Sequence, residues 1–313
     1  FYDAPAALPT VEHATIREDL FRRDFTINAM AVSLKGDDLG RLVDPFGGRR
    51  DLESRTIRVL HNLSFIDDPT RIFRAIRYEN RLGFTMEPHT ERLARSCIEM
   101  GLVGDLSSSR LRDELQALLS EGDVSHSILR LAELGADNAV HPHVEGGLET
   151  AKLLARLVAL NDELGAGVPP WRLGLAALAR RMPPDEVYAW LERLHVRRRD
   201  AERIAAALTV GPLLVERLRG DVDPSEVVGL AEPYAPDAPL FALALERLEP
   251  LERYFRDLRG VRLEVSGSDL AELGLRESPR VGEVLAELRR RKLNGELDGR
   301  EAELEAAREL IVS

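Results

Sequence analysis

The sequence predicts a mainly α-helical protein, a multi-helix array preceded by the remnant of an α/β sheet. Three observations point there: the residue usage, the helical periodicity from Asp68 onward, and a cluster of β-favouring runs confined to the region before residue 61. Only 5% of the residues are aromatic while 44% are hydrophobic. With Leu, Ala, Arg and Glu dominating, this usage suits helices packed through aliphatic seams rather than a sandwich or barrel. At 313 residues the chain can bury more than one core.

The β-favouring runs cover 26–34, 39–44 and 57–60, separated by Lys35-Gly36-Asp37-Asp38 and Pro45-Phe46-Gly47-Gly48. They predict a hairpin plus one strand. Three short strands cannot bury both faces of a sheet, so the piece is expected to be part of a larger one. Beyond it, helices are predicted between breaks at Gly83, Gly101 to Gly104, Gly122, Gly135, Pro142, Gly165 to Pro170, Pro183-Pro184, Gly211-Pro212 and Gly220. Boundaries are expected near 60, 125 and 215. In the last unit Val265-Ser266-Gly267-Ser268-Asp269-Leu270 opens a helix that ends in a turn at Gly274. No fixed-period repeat argues for a solenoid.

Composition also narrows the function. No stretch of about 18 apolar residues appears, and Phe1, Tyr2 and Asp3 form neither a basic n-region nor an apolar signal core, so a soluble cytoplasmic protein without a membrane partner is expected. Cys97 is alone, which leaves no internal disulfide and no cysteine-rich zinc site. A net charge of −11 disfavours indiscriminate polyanion binding, although a local basic face can still hold one RNA. Phe1 opens directly into what reads as the interior of a domain, and further residues upstream are expected.

Four blocks carry chemistry. Arg22-Arg23-Asp24-Phe25-Thr26-Ile27-Asn28-Ala29-Met30 focuses charge at the start of an apolar run. Asp44-Pro45-Phe46-Gly47-Gly48-Arg49-Arg50-Asp51-Leu52 and Asp67-Asp68-Pro69-Thr70-Arg71-Ile72-Phe73-Arg74-Ala75-Ile76-Arg77-Tyr78 follow in order, and then Ser107-x-x-Arg110-Leu111-x-x-Glu114-Leu115. Taken singly, each is equally an exposed turn, a plain glycine turn or a capped helix start. Taken together they resemble the motifs of the class II tRNA nucleotidyltransferase and bacterial poly(A) polymerase family. The resemblance covers residues 1 to about 145 with specific motifs and continues more loosely through 266–295.

This resemblance implies an α/β nucleotidyltransferase head of which residues 1–60 are the C-terminal part (palm), a neck of nucleotide-selecting helices over 61–125, a helical body over 126–215 and a tRNA-binding helical tail over 216–313. It implies template-independent addition of C, A or both to the 3′ end of tRNA from CTP and ATP, with pyrophosphate released. Arg22, Arg23, Asn28, Asp68, Arg71, Arg74 and Arg77 would bind the nucleotide, Asp24 would be an accessory catalytic group or ribose contact, and Asp44, Gly47 and Gly48 would form a hinge between head and neck.

The chain departs from the family in one respect. The family begins with Gly-Gly-x-x-Arg-Asp and an Asp-x-Asp pair that binds two magnesium ions, and neither stands in its place here. Asp221-Val222-Asp223 is the only Asp-x-Asp, but with Pro224 following it reads as a helix-start loop. No metal ligand is therefore assigned in this chain, and the Mg2+ ligands are expected upstream of Phe1. Two alternatives stay open: a poly(A) polymerase, which tends to carry a basic C-terminal extension unlike the acidic, mixed end here, and a non-catalytic RNA-binding remnant. A histidine and aspartate metal phosphohydrolase is set aside because His141 and His143 lack a His-Asp doublet.

Within the third block, Asp68 and Arg71 are three apart and share a face at a helix start. An aspartate accepting from an exocyclic amine and an arginine donating to the adjacent ring atom together fit cytosine and adenine, and not uracil or guanine. A helix cap and its solvated partner meet the same spacing. Arg71, Arg74, Arg77 and Arg81 form a stripe with only Glu79 nearby, suited to triphosphate or RNA backbone. Arg110 and Glu114 are spaced for an i,i+4 pair, with a serine among Ser107 to Ser109 as cap. In the tail, Arg289, Arg290, Arg291 and Lys292 are expected to grip RNA phosphates, or else to belong to a plain pair of helices.

Overall fold

The computed structural model describes residues 15–275 and 279–312 and divides the chain into two compact units. The first comprises Phe1–Arg156 with Pro169–Ile204, the second Leu157–Val168 with Ala205–Ser313.

In the first unit the hairpin forms: Ala31–Val32 pairs antiparallel with Leu42–Val43, Ala31 opposite Val43. Two expectations change. Thr26–Asn28 is a turn of 3-10 helix rather than the start of a strand. The Asp24 carboxylate causes this, since its Oδ1 accepts from the Phe25 N–H (2.9 Å) and from Asn28 Nδ2 (3.0 Å), coiling the chain around itself. The third run gives Val59 to a single antiparallel bridge with Phe25, and Ile57 to the two-residue strand Thr56–Ile57, which pairs in parallel with Thr85–Met86. The helix Thr70–Leu82 lies between these two strands in sequence.

That helix starts after Pro69 and ends on Gly83, whose φ of 64° suits a residue without Cβ. Its Ile72, Phe73 and Ile76 are buried, as are Phe25, Ile57 and Phe65 of the same unit. The helices Ser108–Leu119 and Ser125–Leu134 pack against that helix. Glu79 does not join the arginine stripe as expected: it is 3% exposed and turns inward, accepting from the Met86 N–H (2.7 Å) and Arg130 Nε (3.0 Å). Arg130 also holds Glu91 and Glu133, tying Pro88–Glu99 and Ser125–Leu134 to the Thr70–Leu82 helix. A group of this kind costs little to keep but much to break, because one lost partner leaves a buried charge alone.

The second unit contains helices from Gly211–Arg217 to Gly299–Val312. Asp223 stands at the N-cap of Pro224–Ala231, the helix-start loop its sequence predicts. Ser266 and Asp269 form a capping box at the start of Gly267–Glu272. Val265, Leu270, Val284, Leu288, Ala306 and Ala307 make the core of the terminal helices. Glu303 is buried completely there and accepts from the backbone N–H groups of Glu264 (2.8 Å) and Val265 (2.9 Å). No helix among the described residues is long and apolar enough to cross a membrane.

Candidate functional site

The first, third and fourth sequence blocks converge in the first unit. Asp24 is 9% exposed, and its Oδ2 takes two donors from Arg74, Nε at 3.0 Å and Nη2 at 2.6 Å. With Oδ1 already bonded to Phe25 and Asn28, both oxygens are committed. In this structure the Asp24 carboxylate thus ties Arg74 to the Thr26–Asn28 turn of the first block. Arg74 reaches Glu114 as well (3.3 Å). Burial alone would lower its basicity, but the charge and hydrogen bonds of Asp24, then Glu114, raise it above that of an ordinary guanidinium.

Asp68 and Arg71 do stand together at the helix start, but each is held from within the protein. The Thr70 N–H (3.1 Å), the Thr70 hydroxyl (2.6 Å) and Arg110 Nη2 (2.7 Å) all meet Asp68 at Oδ1. The contacts found for Asp68 among the described residues all fall on this one oxygen. Arg71 is 4% exposed; its Nη1 donates to the Ser64 hydroxyl (2.6 Å) and its Nη2 to the Arg22 carbonyl (2.8 Å). The guanidinium is thus pre-oriented rather than mobile, and it joins the first block to the third.

The arginine stripe is not unbalanced as its sequence suggests. Arg74 answers Asp24 and Glu114, Arg77 faces Glu114 at 3.8 Å, and Arg81 grips Glu121 through two nitrogens. Those carboxylates come from distant parts of the sequence, 40 residues away for Glu114 from Arg74 and for Glu121 from Arg81 and 50 for Asp24 from Arg74, where periodicity within one helix cannot see them. Within the fourth block, Arg110 binds Asp68 and Glu114 binds Arg74, both partners again distant in sequence. Ser107 occupies the N-cap without a side-chain cap bond. Arg22 and Arg23 both bind Asp19, at 2.8 and 3.3 Å. Ser64 was not singled out from the sequence, where nothing marks it; Arg110 was noted, but as internal support for its own helix.

The second block forms a tight turn. Asp44 accepts from the N–H groups of Gly48 (2.7 Å) and Arg49 (3.0 Å) through its two oxygens, capping Gly48–Glu53. Gly47 takes the left-handed conformation (φ 77°), and a Cβ on Gly48 would fall 2.2 Å from the Thr26 carbonyl oxygen.

In the second unit each cation of the tail run has a carboxylate. Arg289 forks onto Glu232 at 2.8 Å through both terminal nitrogens, Arg290 and Arg291 share Glu287, and Lys292 reaches Glu264 (3.2 Å) and buried Glu303 (2.6 Å). The run is a lattice of ion pairs rather than a free basic face.

A two-magnesium centre does not fit the described residues. Asp24 is paired with Arg74 rather than with a second carboxylate, and among the described residues the one cluster of three His, Cys, Asp or Glu ligands is His141, His143 and Glu186. Its two imidazoles do not suit Mg2+, a hard ion that takes oxygen donors.

A mainly helical protein with two short two-stranded sheets, and a helix whose arginines are paired with carboxylates from distant parts of the chain, has the build of a nucleotidyltransferase. Residues 2–58 match the poly(A) polymerase head domain, and residues 83–147 match a domain described as the probable RNA and SrmB-binding site of polymerase A. The A-adding tRNA nucleotidyltransferase of Halalkalibacterium halodurans is 30% identical over 99% of this chain and 72% of its own length. The enzyme of the same name from Geobacter sulfurreducens is 36% identical over 98% of this chain, which spans 37% of that longer protein. A CCA-adding enzyme in an apo form superposes with a TM-score of 0.83 at 33% identity, covering 100% of this chain and 74% of that one. The Thermotoga maritima CCA-adding enzyme complexed with tRNA gives 0.80 at 32% identity, over 95% and 73%. The chain belongs to the tRNA nucleotidyltransferase family.

Proposed function

We propose that this chain selects the nucleotide and holds the tRNA in the template-independent addition of C, A or both to the tRNA 3′ end from CTP and ATP, with release of pyrophosphate. The carrying observation is Asp68: its contacts with Thr70 and Arg110 fall on Oδ1, and Oδ2 serves as the acceptor at the helix start. A carboxylate oxygen there accepts from the amine of cytosine or adenine and repels the carbonyl of uracil or guanine. Arg71, pre-oriented by Ser64 and the Arg22 carbonyl, donates to the neighbouring ring nitrogen. Arg74 and Arg77 flank the triphosphate, and Asp24 and Asn28 hold Arg74 and the block before it in place. Arg22 and Arg23 exchange Asp19 for phosphate oxygens when nucleotide arrives, and the Asp44, Gly47 and Gly48 turn acts as the hinge between head and neck. The family's reaction uses magnesium; no step through it is assigned to these residues, and the carboxylates that hold it lie outside those described.

The names of the relatives support tRNA as the acceptor. So does the tail, because paired cations provide little of the sequence-blind phosphate attraction that a poly(A) polymerase needs. The test is extension of tRNA lacking its terminal A, or its whole CCA, by the full protein with ATP or CTP. The reading expects one to three nucleotides added to tRNA and almost none to unstructured RNA. Long tails on any RNA would favour a poly(A) polymerase, and tight tRNA binding without incorporation a non-catalytic binder.

A further inference from the structure

The loop after the Ala136–Val140 helix runs through His141-Pro142-His143, and its two imidazoles converge on one carboxylate, that of Glu186 in the first turn of Pro184–Arg193. His143 Nδ1 lies 2.8 Å and His141 Nε2 3.7 Å from the same oxygen, Glu186 Oε2. All three ligand atoms lie within 4.8 Å of one another. An ion with tetrahedral bonds of roughly 2.0–2.1 Å separates its ligands by about 3.4 Å. The two observed separations straddle that edge, and side-chain shifts of about 0.5–1.5 Å would seat an ion. The side chains of His143 and Glu186 are 43% and 41% exposed, which gives an ion a way in, while His141 at 16% sits beside the buried Trp190 ring, 6.4 Å between centroids.

We propose that His141, His143 and Glu186 form a site for one divalent transition-metal ion of the zinc class, with a fourth position left to water. Two imidazoles and one carboxylate with an open position are a donor set for Zn2+ and its neighbours, and not for Mg2+ or Ca2+. The bound ion staples the 141–147 loop to the Pro184–Arg193 helix, and it is separate from the magnesium of the nucleotidyl transfer reaction. Binding has a definite cost. The ion takes the place of the hydrogen bond between His143 Nδ1 and Glu186, and the neutral His143 ring then carries its one N–H proton on Nε2 instead of Nδ1. It also breaks the 3.2 Å bond from the His143 backbone N–H to His141 Nδ1, since the His141 ring must present Nε2 unprotonated.

The experiment is a Co2+ titration of the full protein, stripped with chelator and kept in excess Mg2+ so that oxygen-ligand sites are filled. The proposal expects visible d–d bands that saturate at about one equivalent and are abolished by Zn2+, with the four-coordinate intensity of such sites. His143→Ala and Glu186→Gln each lower the affinity roughly tenfold or more, since even partners behind the ligands are worth that much. Zn2+ raises the melting temperature of the parent protein and of neither variant. Both positions are partly exposed, and circular dichroism confirms that the variants fold. Absence of d–d bands in the parent protein overturns the site, as do bands that persist unchanged in Glu186→Gln.

Discussion

Arg74 closes on Asp24 from fifty residues along the chain, placing Nε at 3.0 Å and Nη2 at 2.6 Å from a single carboxylate oxygen. The Asp24 side chain is 9% and the Arg74 side chain 29% exposed, so neither charge is well solvated if the other is removed. Asp24→Ala is expected to cost about 3 kcal/mol in chemical denaturation, as does Arg74→Ala, with the double variant costing far less than the sum. Costs below about 1 kcal/mol, as for a surface pair, would show that the bond does not hold the block in place.

At the Gly47-Gly48 turn the second glycine is the more demanding. Gly48→Ala would drive a methyl to 2.2 Å from the Thr26 carbonyl and 2.9 Å from Met30 Cγ, so backbone must move. Gly47→Ala meets nothing closer than 3.5 Å and carries only the left-handed penalty, about 1–2 kcal/mol. Melting temperatures of the two variants should therefore differ, with Gly48→Ala the lower; equal values would contradict the close approach.

The tail run separates by burial. Lys292 answers Glu303, which is 0% exposed, whereas Arg290 pairs with Glu287 while 46% exposed itself. Lys292→Ala is expected to destabilise the protein by about 3 kcal/mol and Arg290→Ala by less than about 1 kcal/mol. Similar small losses in denaturant titrations would return the whole run to the solvent-facing role its sequence suggests.

Local features were readable in advance where the signal and its cause lie within a few residues. The 31–43 hairpin, the helix between Pro69 and Gly83, the Ser266 helix start and the Asp223 loop all follow from turn and capping chemistry. What escaped was long-range pairing. Periodicity places Arg71, Arg74, Arg77 and Arg81 on a common stripe but is silent on Asp24, Glu114 and Glu121, which neutralise three of them from outside the helix. The same blindness applies to Arg289 and Lys292, whose partners Glu232, Glu264 and Glu303 lie 11 to 57 residues away, whereas Glu287, which holds Arg290 and Arg291, stands three and four residues before them on the same helix. Thr26–Asn28 looked like a strand because β propensity ignores the Asp24 side chain that coils it.

The most direct test of nucleotide selection is Asp68→Asn in the full protein, read by competition of ATP and CTP against GTP and UTP for addition to tRNA. An asparagine keeps one oxygen for Thr70 and Arg110 and replaces Oδ2 by an amide nitrogen, turning an acceptor into a donor. Preference for the amine-bearing bases should fall roughly ten- to a hundredfold, the value of a good base contact. Arg81→Ala, whose guanidinium is half exposed on Glu121, should leave preference intact. If Asp68→Asn keeps full selectivity and only lowers the melting temperature, then Asp68 is a helix cap held by Arg110, and the nucleotide is chosen elsewhere.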